Sequence, residues 1–185
     1  MGDFSDGAGD SVVDSVVPDT KDWTWTLERA CPECGFEASA VPGPEVATRA
    51  LTLTAPWDLV LARADVRERP EPAVWSPLEY ACHVRDVCRV FEDRVRLMLE
   101  QDDPQFANWN QDETALAEQY GTQDPATVGA ELRVAAARTS TAFGTVGEEQ
   151  WGRRGRRSNG TAFTVLTLGQ YFLHDLAHHL FDVRA

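Results

Sequence analysis

Four long segments of this 185-residue chain carry apolar residues at spacings of three and four, the period of an amphipathic helix. These segments run over about 43–64, 77–100, 125–146 and 161–181. No convincing run of alternating residues, which would indicate a strand, lies between them. Amphipathic helices joined in this way bury their apolar faces by packing together as a bundle. The sequence therefore predicts an all-α fold, a four-helix bundle.

The predicted helices have recognisable start signals. Ser76 and Glu79 form a capping box, in which each side chain bonds to the backbone of the other residue. A proline follows Ser76 at the first helical position, where its missing N–H costs nothing. Asp124, also followed by proline, opens the third helix in the same way, and Thr161 or Thr164 is expected to cap the fourth.

Two features interrupt the helical pattern. Pro56 lies inside the first segment, where it is expected to kink the helix or to split off a turn. Between the second and third helices, residues 102–121 are rich in polar and aromatic side chains, with a short helix expected near 113–119. A loop of this length exceeds what a compact bundle requires, so we expect it to cover a site.

The formal net charge of −13 disfavours two kinds of partner. Nucleic-acid binding needs a basic surface, and anionic membranes repel an acidic protein. No run approaches the roughly 20 apolar residues of a membrane span. Residues 1–20 contain no Lys or Arg, unlike a signal peptide, and predict a disordered acidic leader. We therefore expect a cytoplasmic protein that binds neither nucleic acid nor membranes.

An N-terminal segment, residues 21–42, precedes the bundle of residues 43–185 and contains the sequence Cys31-Pro-Glu-Cys34-Gly. Such a C-x-x-C turn has the shape of half a zinc ribbon. The other half is not evident, because Cys82 and Cys88 lie six residues apart on the second helix. We favour a structural turn, with a metal or partner contact and a redox pair as alternatives.

All four histidines lie in two of the predicted helices, the second and the fourth. His174 and His178 are one helical turn apart and share a face, and His83 shares its face with apolar residues. Unpaired polar groups in a core cost about 1–3 kcal/mol each. We therefore predict that His83, His174 and His178 bind one divalent ion, with zinc the first choice and nickel or iron(II) alternatives. His179 is expected on the surface or behind these ligands.

The sequence around the histidines resembles that of actinobacterial DinB-like proteins. Residues Trp75–Val87 are similar to the family's W-S-x-x-E-x-x-x-H-x-x-D stretch, and Thr167–His179 resemble its final helix with an H-x-x-x-H pair. The resemblance extends from Trp23 to nearly the end of the chain. It implies an up-down-down-up four-helix bundle whose metal is held by the three histidines just named.

The resemblance also implies an activity. Members of the wider superfamily with known activity use the metal to activate a low-molecular-weight thiol, as mycothiol and bacillithiol S-transferases and mycothiol-dependent maleylpyruvate isomerase do. We therefore expect a metal-dependent S-transferase that joins a mycothiol-type thiol to a small electrophile. The alternatives are a metal-dependent hydrolase, and a bundle that binds a small molecule or partner around a structural or vestigial metal. The family also allows a homodimer.

A dense basic patch, with arginines at 153, 154, 156 and 157, precedes the fourth helix of this acidic chain. We expect Arg153 and Arg157 to bind carboxylate or phosphate groups of a thiol cofactor or substrate, and a solvated loop is the alternative. Asp86 and Asp175 lie close in sequence to the predicted ligands. They are candidates for orienting imidazoles or moving a proton, and a role as mere surface charges is the alternative.

Overall fold

The computed structural model describes residues 22–184, so the leader predicted for residues 1–20 lies outside the described residues. The described helices are α1 (Val46–Thr54), α2 (Trp57–Leu61), α3 (Pro77–Glu100), α4 (Gln111–Ala117), α5 (Pro125–Gly144) and α6 (Val165–Asp182). The long helices match the four predicted segments, and Pro56 separates α1 from α2 as expected. Within residues 22–184, no helix is long and apolar enough to cross a membrane.

Helix caps account for where the long helices begin. The capping box at the start of α3 is confirmed: the Ser76 N–H donates to Glu79 Oε2 at 2.8 Å, and the Glu79 N–H donates to Ser76 Oγ at 3.3 Å. Asp124 accepts a hydrogen bond from the Thr127 N–H at the start of α5. Thr164 caps α6, which settles the choice left open in the sequence. Local chemistry thus fixes the helices that carry the histidines.

The helices pack as a four-helix bundle, which confirms the predicted fold. Helix α3 packs against α5 and α6, and α1 packs against the same two helices. Aromatic rings fill the centre: Phe172 of α6 stacks on Phe91 of α3 at 5.1 Å and on Phe143 of α5 at 5.8 Å between ring centroids. Burial of such side chains is the main stabilising contribution to the fold. The close packing of α3 and α6 brings their histidines together.

A small three-stranded sheet lies at one end of the bundle and was not predicted. Its strands are β1 (Gln105–Phe106), β2 (Arg154–Arg157) and β3 (Ala162–Thr164), with β2 in the centre, parallel to β1 and antiparallel to β3. Strands of two to four residues are too short to show a period of two in the sequence. Strand β2 lies directly on α3, because a Cβ at Gly155 would be 2.7 Å from Met98 Cγ.

The N-terminal segment packs along α6 through two short 3-10 turns, Trp23–Leu27 and Ala38–Ala40. The side-chain amide of Gln170 on α6 donates to the Val41 carbonyl at 3.0 Å and to the Ser39 carbonyl at 3.3 Å. These contacts place the C-x-x-C turn beside the last helix of the bundle.

Asp86 is the centre of a buried polar network. Its carboxylate accepts two hydrogen bonds of 2.9 Å from Arg85 and one of 2.6 Å from the hydroxyl of Tyr120. Arg89 adds a further hydrogen bond of 2.9 Å from the surface. Although burial disfavours a charged carboxylate, the hydrogen bonds from Arg85 and Tyr120 hold the pKa of Asp86 below its usual range. Asp86 therefore positions Arg85 and Tyr120. The expectation that it orients an imidazole is not met, because its hydrogen bonds go to these two residues and to Arg89.

Candidate metal centre

Two imidazoles and a carboxylate meet between α3 and α6. The Nε2 atoms of His83 and His179 each lie 3.5 Å from Oδ1 of Asp175. The two rings are perpendicular, with centroids 4.6 Å apart. One potential ligand atom from each of the three residues lies within 4.8 Å of the others. Asp175 and His179 are one turn apart on α6, so the helix presents both to His83 on α3. We call these three residues the α3–α6 cluster.

The α3–α6 cluster contains polar atoms that the protein itself does not satisfy. Both ring nitrogens of His83 and Oδ1 of Asp175 are buried without a hydrogen-bond partner among residues 22–184. A contact of 3.5 Å is long for a hydrogen bond, and each unsatisfied group costs about 1–3 kcal/mol. Burial lowers the pKa of His83, whose side chain is 0% exposed, and keeps the ring neutral. Neutral imidazoles and a carboxylate are the ligands of divalent ions such as zinc or iron(II), so these residues fit a metal.

Neighbouring side chains hold the α3–α6 cluster in place. Nδ1 of His179 lies 2.8 Å from Oδ2 of Asp182, a contact that orients the ring with Nε2 toward Asp175. Trp109, from the loop between α3 and α5, stacks on His83 with the rings 12° from parallel and 5.4 Å apart. Its indole N–H donates to Thr114 Oγ1 at 2.8 Å. The long loop thus covers a site, as its length indicated.

The α3–α6 cluster forms part of the wall of a cavity of about 690 Å³. This volume falls within the range of about 300–1,000 Å³ that is typical of small-molecule sites. Besides Asp175 and His179, the lining includes aromatic side chains from the loop and two arginines, Arg94 and Arg157. The α3–α6 cluster therefore borders a space large enough for a substrate.

The two arginines give this cavity a positive region. Nε and Nη2 of Arg157 are buried and have no hydrogen-bond partner among the described residues. Arg94 stacks on Phe91 and Phe106, and donates to the Ala107 carbonyl at 3.2 Å. Burial, together with the charge of Arg157, lowers the pKa of Arg94 to about 10, so it remains a cation at neutral pH. Buried guanidinium groups of this kind are suited to a carboxylate or phosphate.

Comparison with known proteins identifies the family. A family model described as the DinB superfamily matches residues 47–181. The chain belongs to the DinB superfamily. Among solved structures, this DinB chain is similar to YfiT from Bacillus subtilis, described as a probable metal-dependent hydrolase with an unusual four-helix bundle topology. The TM-score is 0.61 at 17% identity, over 77% of this chain and 80% of that chain. At this identity the likeness shows the fold alone, and no curated protein matches.

The three histidines predicted to share one ion lie in two groups in this DinB structure. His83 belongs to the α3–α6 cluster. His174 and His178 lie beside two cysteines of the N-terminal segment, Cys31 and Cys34, in a second group of potential ligands. The division arises because consecutive residues of a helix point about 100° apart. The H-x-x-x-H pair and the D-x-x-x-H pair, offset by one residue, therefore face different neighbours.

Sequence reasoning placed His179 on the surface or behind the ligands, whereas in the structure it belongs to the α3–α6 cluster. One signal could have revealed this: Asp175 and His179 repeat the i, i+4 spacing of the histidine pair. The predicted ligand set contained only histidines, so Asp175 was not included as a ligand. Arg94 was also missed, because a single cation within an amphipathic helix has no distinguishing pattern.

The two arginines predicted to bind a cofactor occupy different places. Arg157 lines the cavity. Arg153 donates two hydrogen bonds of 2.6 Å to the carbonyls of Met98 and Gln101, at the end of α3. These acceptors are backbone groups that a helix end leaves without intrahelical partners. Arg153 thus joins β2 to α3 in this DinB fold, and only Arg157 of the pair reaches the cavity lining.

Proposed function

We propose that this protein is a metal-dependent enzyme that transfers a low-molecular-weight thiol to a small electrophile, with its metal held by His83, Asp175 and His179. The observation that carries the proposal is the set of buried, unsatisfied ligand atoms in the α3–α6 cluster, beside a cavity with two available arginines. His83, Asp175 and His179 would hold a divalent ion, which would supply the positive charge that favours deprotonation of a thiol or water nucleophile. The three-histidine ligand set remains a competing prediction, which metal titration of single variants tests.

The protein's own residues supply the binding and orientation that such a reaction needs. Asp182 fixes the orientation of the His179 ring. The ring therefore loses little conformational entropy when a metal or substrate binds beside it. Trp75 and Trp109 pack against His83 at 5.3 and 5.4 Å and limit the access of water to it. Exclusion of water strengthens the electrostatic interactions of charged groups within the cavity.

Arg94 and Arg157 favour a reactant that carries a carboxylate or phosphate. Their guanidinium groups present N–H donors in a partly desolvated space, where charge-assisted hydrogen bonds are strongest. A cavity of about 690 Å³ can hold a small thiol and an electrophile together. Arg94 and Arg157 would therefore hold the anionic end of one reactant while its reactive end faces the α3–α6 cluster.

A metal-dependent hydrolase is the second candidate, and the description of YfiT as a probable metal-dependent hydrolase favours it. The same three ligands serve either reaction, because only the nucleophile differs: water in place of a thiol. Turnover in the absence of any thiol is the property that separates the two.

Assaying the zinc-loaded protein with a fluorogenic electrophile should show product formation only when a thiol is added. Mycothiol, bacillithiol, glutathione and cysteine form a suitable panel, and the metal-free protein is the matched control. Removing the metal with a chelator should abolish turnover, and restoring it should recover the rate. Thiol-independent release of product would support the hydrolase, and the absence of any metal-dependent turnover would count against both enzymes.

Replacing Arg157 with methionine should weaken the use of an anionic reactant while leaving the metal bound. Loss of a desolvated charge contact costs about 2 kcal/mol or more, roughly a thirtyfold drop in kcat/KM. We expect the change mainly in KM, because the contact is present before and during the reaction. Arg154→Met, at an exposed position of β2, is the matched control, and Arg153→Met tests the other arginine predicted from sequence. Equal losses in Arg154→Met and Arg157→Met would assign the effect to general surface charge.

A further inference from the structure

The C-x-x-C turn has a defined conformation. The Gly35 N–H donates to the Cys31 carbonyl at 2.8 Å, and the Cys31 N–H donates to the Phe36 carbonyl at 3.0 Å. Gly35 has a φ of +72°, in the left-handed region that favours glycine. Both cysteines are free thiols in the structure. The turn therefore presents two sulfur ligands from a fixed backbone.

Helix α6 supplies two further potential metal ligands beside the C-x-x-C turn, which the sequence alone did not reveal. His174 and His178 are one turn apart and face the turn, with Nδ1 of His178 lying 3.7 Å from Sγ of Cys31. Ligand atoms from His174, His178, Cys31 and Cys34 all lie within 4.8 Å of one another. Nε2 of His174 is buried without a hydrogen-bond partner among residues 22–184. Two sulfurs and two imidazoles are the ligand set of a tetrahedral zinc site.

Three of the four potential ligands are buried, and Cys34 is partly exposed. Cys31, His174 and His178 are 1%, 4% and 7% exposed, and the indole of Trp23 packs against both imidazoles at 5.7 and 4.9 Å between ring centroids. Two thiolates would balance the charge of a divalent zinc ion, so the complex would be neutral and its burial would carry no uncompensated charge. The four protein ligands also fill the coordination shell, which is the mark of a structural site.

We propose that Cys31, Cys34, His174 and His178 bind a structural zinc ion that fastens the N-terminal segment to α6. Binding releases the two thiol protons to solvent, and no redox step is involved. Carboxylates of Glu33 and Asp182 lie 3.5 and 3.8 Å from Nε2 of His178, which is too long for a direct hydrogen bond. The site shares no ligand with the α3–α6 cluster, although His174 and His178 line the same cavity, and it does not depend on the proposed enzyme activity.

Metal analysis of the full chain tests this inference. The purified protein loaded with zinc should contain about two ions per chain. Cys31→Ser/Cys34→Ser and His178→Ala should each retain only the ion of the α3–α6 cluster. His83→Ala should retain only the ion of the proposed structural site. Cobalt substitution separates the two ions: the near-ultraviolet charge-transfer band of thiolate–cobalt should be present in the wild type and in His83→Ala. The same band should be lost in the cysteine variant, and it should weaken or shift in His178→Ala, where one imidazole ligand is removed but both thiolates remain.

Cys82→Ala/Cys88→Ala is the matched control, because it leaves only the two proposed ligand thiols in the chain and should keep both ions. In that variant, Cys31 and Cys34 should react with a thiol reagent only after chelation, a readout that survives if His178→Ala does not fold. Three results would each overturn the inference. These are immediate reaction of the thiols, a wild-type chain lighter by two hydrogens from a disulfide, and a thiolate–cobalt band that persists in Cys31→Ser/Cys34→Ser. Loss of the same single ion in His83→Ala and His174→Ala would instead support the three-histidine site.

Discussion

His83→Ala should remove the metal of the α3–α6 cluster and reduce kcat/KM of the proposed reaction by about a hundredfold or more. His83 is the ligand that α3 contributes, and its loss leaves two ligands on one turn of α6. Even groups that only orient a ligand cost about 10–100-fold in affinity or activity when they are changed. We therefore expect the effect of His83→Ala to exceed that of Asp182→Asn, which changes a residue that orients His179 but is not itself a proposed ligand.

Steady-state kinetics with metal-loaded protein, together with metal analysis, would measure the effect of His83→Ala. Cys82→Ala is the matched control, since Cys82 is the adjacent buried residue of α3 and does not belong to the cluster. Circular dichroism of both variants would verify that the bundle remains folded. Unchanged kcat/KM in a folded His83→Ala protein would remove this residue from the reaction.

Asp86→Ala should destabilise the protein by about 3 kcal/mol, the lower end of the usual cost of breaking a buried ion pair, because Arg85 keeps its partly exposed partner Glu131. The side chain of Arg85 is 5% exposed and directs two donors at this carboxylate, and the hydroxyl of Tyr120 would also lose its acceptor. The network connects α3 to the 3-10 turn Tyr120–Thr122 at the end of the long loop. The loss should therefore loosen the loop as well as the helix.

Urea unfolding followed by circular dichroism would give the free energy of unfolding of Asp86→Ala. Glu131→Ala provides the matched control, because Glu131 also pairs with Arg85 but its side chain is 41% exposed, and exposed pairs contribute about 1 kcal/mol or less. Similar losses in the two variants, or a loss below about 1 kcal/mol in Asp86→Ala, would contradict this account of the network.

The sequence was a good guide where local chemistry determines structure. The Ser76–Glu79 capping box, Asp124 and Pro56 fixed the starts and breaks of helices, since caps and prolines act within a few residues. The sheet escaped prediction for the opposite reason. Strand β2, rich in arginine, exists because β1, β3 and α3 surround it, and none of these neighbours is visible within its own four residues.

The sequence indicated which residue types could bind a metal, but not which of these residues lie together. Histidines on the second and fourth helices indicated metal binding, because buried imidazoles require a partner. Which of them lie together depends on the rotation of α6, and a change of one residue replaces His174 and His178 with Asp175 and His179. Periodicity cannot resolve that rotation, since both pairs have the same spacing.

Because the N-terminal segment packs along α6, residues that precede the region matched by the family contribute to the cavity. The match to the DinB superfamily starts at residue 47, yet the turn that holds Cys31 and Cys34 and the indole of Trp23 all lie before it. Trp23 and Glu33 also line the cavity beside the α3–α6 cluster. A protein cut to the matched region would keep every ligand of the α3–α6 cluster but lose one wall of its cavity. The segment before residue 47 therefore completes a cavity wall that the matched region alone does not supply.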